Sequence, residues 1–287
     1  IFEELEDYIG SRKTLDTLWK DLMRQYEGVP KNPVRNTPIE NAPNIEITLG
    51  AIAADSIYAQ MIDLIFTVTP LVTARAVNSD FQPAAGPLQR FVDWVAVNES
   101  NARHACDHTA LDDVHFGTGA YYIPWVENVK KTRTAQIIES RPHIFSVPIE
   151  DLIVPGGAFE NIRELPFVAI RFYPNKSDLE KFSRMRGIDI KEFKPCATKE
   201  WIRSARELIG RTHDGQVIRR GTIYETFDIY LQYDIDDDGI DEELFVVYDR
   251  TSQKIGYCGF APNDHLPLEV CRYQLRSHLF YGIGVLE

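Results

Sequence analysis

The sequence predicts an α+β fold in which long helices pack against antiparallel strands and β-hairpins, and three observations lead there. Apolar residues recur near a 3.6-residue period through much of the first 110 positions. Beyond "FGTG", runs rich in Val, Ile, Tyr and Phe alternate as strands do. Turn residues such as Pro155-Gly156-Gly157 and Asp238-Gly239 punctuate those runs. With 287 residues, 44% hydrophobic and 26% charged, the chain has the balance of a soluble globular protein of one large or two ordinary domains.

Residues 1–28 predict an amphipathic helix, since Leu5, Tyr8, Ile9, Leu15, Leu18, Trp19, Leu22 and Met23 share a stripe, with a break or kink at Gly10-Ser11 and an end at Gly28. Residues 29–46 follow as an extended arm. Its "VPKNPVRNTPIENAP" holds four prolines, each fixing φ and removing a donor, and such an arm suits a strap to a neighbouring subunit. Residues 47–280 then form the main α+β domain: a helix from 47 to 65, strands around Pro70, and a long helix whose Leu88, Phe91, Val92, Val95, Ala102, Cys106 and Ala110 lie on one side. Strands are expected at "AYYIPWV", "TAQIIES", "HIFSVPI" and within "EDLIVPGGAFENIRELPFVAIRFY". Ser177 with Glu180 reads as a capping box for a short helix, and a second helix is expected from Lys199 to Ile209. A three-strand meander closes the domain through "TIYETFDIYLQYDI", "ELFVVYDR" and "QKIGYCGF".

The formal net charge of −12 argues against a surface that coats nucleic acid, because such binders gain affinity from Lys and Arg that replace condensed counterions. It is compatible with DNA passing without adhesion. The apolar-leaning segment from Ile45 to Val72 is interrupted by Glu46, Asp55 and Asp63, so no membrane span or signal peptide is expected and an intracellular origin is. Cys106, Cys196, Cys258 and Cys271 are scattered, which points to reduced, mostly buried thiols. The chain starts at Ile1 without an initiator Met and finishes on the apolar "FYGIGVLE", so both ends look cut and a longer protein is expected.

The acidic stretch "DIDDDGIDEE" spaces Asp234, Asp236, Asp238 and Gly239 as a calcium loop begins. Position twelve counted from Asp234 is Phe245 instead of the bidentate Glu, and strands flank it where an EF-hand needs helices, so a hairpin turn is the reading. Asp234, Asp236, Asp238 and Asp241 remain the candidate ligands for weakly held Ca²⁺ or Mg²⁺, and no other cofactor is expected. His104, His108 and His115 fall within about 40° of one another by helical counting, with Asp112 nearby. That is metal-ligand geometry without an H-E-x-x-H motif, and a solvated face or subunit contact competes with it. Signatures of P-loops, dinucleotide folds and nucleophile elbows are absent, so no residue supports an enzyme. The arginines Arg203, Arg206, Arg219 and Arg220 are the candidate subunit-interface cations, set against Glu3, Glu4, Glu6 and Asp7 of a neighbour.

Four stretches together resemble the portal protein of tailed bacteriophages. They are "PIENAPNIEITLGAIAADSIYAQMIDLIF", "VPIEDLIVPGGAFENIRELPFVAIRFYPNKSDLEKF", "YETFDIYLQYDIDDDGIDEELFVVYDRTSQKIGY" and "LEVCRYQLRSHLFYGIGVLE". The resemblance implies the outer wing of a portal, with residues 281–287 opening its stem helix and the rest of the stem lying beyond Glu287. It further implies a structural, non-catalytic homo-oligomer, typically a dodecameric ring at the unique capsid vertex of the virion, assembled in the host cytoplasm. Its implied partners are the major capsid protein, the terminase large subunit, a head-tail adaptor and non-specifically passing double-stranded DNA, with no membrane. A metal-dependent enzyme built on His104, His108 and Asp112 and a calcium-stiffened virion or adhesion module are the alternatives.

Overall fold

A computed structural model describes residues 2–29, 48–131, 136–156, 161–196, 223–235, 238–261 and 266–287. The N-terminal stripe folds as α1 (Phe2–Ser11) and α2 (Lys13–Tyr26), and Arg12 rather than Gly10-Ser11 occupies the break. The helix expected from 47 to 65 is α3 (Leu49–Thr67). Strands expected around Pro70 do not form. Residues 68–78 are bends and irregular chain, tied to the next helix where Asp93 accepts from the amides of Leu71 and Val72 and Gln89 accepts from that of Ala74.

The long helix is broken in two. A helix α4 (Gln82–Trp94) runs into a π-helical turn at Val95–Glu99, and α5 (Ala102–Phe116) restarts after Asn101, whose φ of 63° lies in the left-handed region. Tertiary bonds hold this joint: Ile144 N–H donates to Ser100 O, and Arg141 donates to both the carbonyl and the carboxylate of Glu99. A period count cannot see such a joint, because the apolar pattern runs on across it.

The strands are β1 (Thr118–Tyr122), β2 (Trp125–Lys131), β3 (Gln136–Pro142), β4 (Phe145–Val147), β5 (Leu152–Ile153) and β6 (Phe167–Phe172); the single strand expected at "AYYIPWV" is broken at Ile123-Pro124 between β1 and β2, and the others fall near their expected places. Next comes α6 (Lys176–Arg186), capped by Asn175, whose side chain accepts from Asp178 N–H, and not by Ser177. The meander is β7 (Thr226–Tyr233), β8 (Glu242–Asp249) and β9 (Lys254–Phe260), and β10 (Leu268–Arg272) completes the order. All pairings between these strands are antiparallel, in sheets ordered β10-β1-β4, β2-β3 and β5-β6-β7-β8-β9. The architecture is α+β, as expected.

Strands β5 to β8 of the five-stranded sheet are largely buried on both faces, while β9 is largely exposed. Phe227, Ile229, Leu244, Val246 and Tyr248 pack with Phe167 under Leu5 of α1, while Val168, Ile170, Tyr230, Phe245 and Val247 join a larger core with Trp19, Leu22, Val114, Phe116, Leu268 and Phe280. Burying such side chains stabilises by about 1.5–3 kcal/mol each. The expected helix Lys199 to Ile209 and most of the proline-rich arm lie outside the described residues.

Residues 281–287 are turn and irregular chain. Ile283 bridges Gln274, Val285 N–H donates to Val114 O and Gly282 N–H to Thr118 Oγ1, so this segment lies against the end of α5. Contrary to the reading of residues 45–72, α3 is long and apolar enough to cross a membrane by length and composition. Of the four thiols, Cys258 is exposed and the others are half-buried, so the expectation of mostly buried cysteines is only partly met.

Candidate functional site

The histidine constellation does not assemble as predicted. His104 and His108 meet edge to face at 4.5 Å, but His115 is 7% exposed and lies against Tyr26 at 4.4 Å, so it belongs to the core and not to a polar face. Burial lowers the pKa of His115 against an opposing pull from Asp55, and its Nε2 has no partner among the described residues. No group of three His, Cys, Asp or Glu among the described residues is arranged to hold a metal. A zinc-like set of His104, His108 and Asp112 is therefore not brought together.

Beside these histidines, α2 and α5 enclose a cleft of about 400 Å³ over the turn at Ile149–Asp151, lined by Arg12, Trp19, His108, Asp112, His115, Glu150 and Arg171. Two arginines organise its floor. Arg12, 6% exposed, donates to Leu152 O and Glu150 O, each at 2.5 Å, and to Asp16 Oδ1 at 2.9 Å. Arg171 donates to Glu150 O and to Asp151 Oδ1, both at 2.8 Å. The "VPIEDLIVP" turn is thus clamped from the N-terminal helices and from β6. Desolvation pushes the carboxyls of Asp112 and Glu150 above their ordinary range, with repulsion from Glu150 adding to it at Asp112 and repulsion from Asp151 adding to it at Glu150.

Asp113, 3% exposed, is raised to about 6 by burial, against a weaker opposing hydrogen bond from the Tyr273 backbone. A carboxyl whose pKa rises on folding binds its proton more tightly in the native state, so its contribution is full below about 4 and is lost as pH rises through about 6. Replacing Asp113 with Asn should shrink the stability change between pH 4 and pH 7 by up to about 3 kcal/mol, read from urea melts at the two pH values. An unchanged pH profile would refute this origin.

The acidic hairpin joins β7 to β8 as a turn. Asp234 accepts from Asp238 N–H at 3.2 Å and from Gly239 N–H at 2.8 Å, Asp238 accepts from Ile240 N–H, and Gly239 has φ of 87°. The carboxylate of Asp234 is therefore engaged with its own backbone, as Asx turns require. Asp236 lies outside the described residues. Asp234→Ala should cost about 1 kcal/mol by thermal melting in EDTA, the worth of a lost side-chain cap; no loss would mean the turn needs no such support.

The arginines Arg203, Arg206, Arg219 and Arg220 also lie outside the described residues. One of their expected partners is occupied within its own chain, since Arg250 Nε and Nη2 donate to both oxygens of Glu6 at 2.7 and 2.8 Å. Sequence reading missed this fork and also Arg12. A lone basic residue at a helix break carries no pattern that announces which distant carbonyls it will meet.

Residues 126–287, more than half of the chain, match a family described as the phage SU10 portal protein. No curated protein matches the chain. The match takes in both strands clamped at the Ile149–Asp151 turn, the whole five-stranded sheet and the segment that lies against α5.

Proposed function

The chain belongs to the phage SU10 portal protein family, a structural component of the virion, and from that membership we propose that it is a subunit of a dodecameric ring at the unique capsid vertex. In this reading the ring is the conduit for double-stranded DNA during packaging and ejection. It is assembled in the host cytoplasm and offers docking faces to the major capsid protein, the terminase large subunit and a head-tail adaptor. The family match over 126–287 carries the proposal.

The charge balance supports it. A net charge of −12 per chain repels phosphates, so a polyanion slides where a basic surface would hold it through counterion release. Family membership implies an oligomeric ring, and a closed ring joins unlike faces of successive copies. Arg203, Arg206, Arg219 and Arg220 against acids such as Glu3, Glu4 and Asp7 of the next copy would suit such a joint.

Electron microscopy of the full-length protein should show rings with a central pore. A compact monomer that turns over a small molecule would overturn the reading. Reversing Arg219 and Arg220 to Glu should block assembly, and intact rings by native mass spectrometry would reject that part alone.

A further inference from the structure

Apart from Ile57, Tyr58 and Met61, which α3 packs against the core, the segment from 48 to 97 carries many of its large apolar residues on the outside. Among its residues only Ala54 is buried, and α4 has no buried residue. Leu64 is 74% exposed, Phe81 and Phe91 62% each and Trp94 52%, with Leu88 and Val97 exposed beside them in sequence. An isolated 13-residue helix is marginal in water, and most helical stability comes from packing one apolar face. Among the described residues none buries that face.

The composition of the segment says what kind of cover fits. It holds only six charged residues in fifty, Asp55, Asp63, Arg75, Asp80, Arg90 and Asp93, about half the density of the whole chain at 26%. Loss of charge together with exposed Phe and Trp is the mark of the centre of a protein interface. A bilayer fits less well. Asp55 accepts from Tyr26 O–H at 2.7 Å, Arg103 lies over Phe66 at 5.1 Å, and α4 at 13 residues with Pro87 inside it is too short to span.

We propose that the α3–α4 segment is an inter-subunit arm whose exposed apolar side docks on a second copy of this chain. This rests on the ring reading above and names the surface that closes it. A ring joint needs an unlike receiving face on the same chain. Among the described residues β9 is the last strand of the five-stranded sheet, and although Asp189 N–H donates to Gly256 O at its middle, Ile255 and Phe260 on it are exposed and offer such a face.

The test compares the full-length protein with its Phe91→Glu/Trp94→Glu variant by native mass spectrometry and electron microscopy at equal concentration. The unaltered protein should form rings, and the variant should show the same circular dichroism with about tenfold or more less ring, as expected when interface aromatics are lost. Rings of equal yield in the variant would overturn the arm while leaving the portal reading intact. A monomer in the unaltered protein would overturn both. Flotation of the unaltered protein with anionic and zwitterionic vesicles, lost in the variant, would assign the face to a lipid surface and overturn the proposal. Should the variant not fold, hydrogen exchange on the unaltered protein decides: residues 81–97 should be protected in rings and exposed in monomers, and equal exchange in both would refute the arm.

Discussion

Replacing Gly282 with alanine should unfold the chain near physiological temperature or cost at least about 4 kcal/mol in urea melts, the range reached only by exceptional substitutions. A Cβ built there lies 2.2 Å from Gly117 O and 2.8 Å from Gln274 O, both backbone atoms that cannot swing aside. The neighbouring contacts are equally close. A Cβ at Gly284 would meet His115 O at 2.5 Å, and one at Gly117 would meet the Ile283 backbone while also straining a φ of 79°. Here the segment 281–287 runs backbone against backbone along the end of α5, and no side chain can be placed between them. Gly187→Ala is the control, since it has a φ of 69° with nothing within 4 Å. It should cost only about 1 kcal/mol, the strain of a left-handed residue without a clash. Equal losses at the two positions would mean that backbone conformation, not close approach, sets the requirement.

That docking also marks the limit of what the sequence discloses. The three-strand meander was legible because its strands alternate locally, as in Phe227, Ile229 and Leu231 facing α1 while Tyr230 faces the other core, but its union with β5 and β6 into one sheet was not. The stop at Gly28 and the hairpin at Asp238-Gly239 were legible too, because turn chemistry is local. "YGIGVLE" holds two glycines as well, yet their role depends on a partner backbone about 165 residues earlier in the chain, as the close approach of Gly282 to Gly117 O shows. The break between α4 and α5 was invisible for the same reason: Arg141 and Ile144 hold it from a strand region some forty residues away. His115 was assigned to a polar face because angular counting knows the helix but not that Tyr26 of another helix covers it. Of the four stretches that carry the family resemblance, the three after residue 146 fall within the match over 126–287, and the first, at 38–66, lies outside it.

Arg12→Ala should cost about 3–5 kcal/mol in thermal or urea melts, as loss of one member of a buried ionic network does. Its guanidinium is nearly sealed from water and spends its donors on Asp16 and on the carbonyls of Leu152 and Glu150, with a longer bond at 3.4 Å to Ile149 O. Truncation leaves those buried carbonyls short of donors and opens space beside Trp19, over which the guanidinium sits at 5.6 Å. Arg12→Lys should recover little, because one ammonium on a flexible stem cannot reproduce a planar fork aimed at several carbonyls at once. Asp16→Ala should cost much less, about 1 kcal/mol, since its half-buried carboxylate meets only one nitrogen of the fork. This ordering separates two accounts of the site. If the carbonyl clamp holds α1 and α2 onto the Ile149–Asp151 turn, Arg12→Ala far exceeds Asp16→Ala. If the ion pair does, the two losses match. Because the turn lies between β4 and β5, and β5 pairs with β6, loosening it would also free one edge of the five-stranded sheet. Hydrogen exchange in Arg12→Ala should therefore rise first at Leu152 and Ile153, while β7 and β8 stay protected.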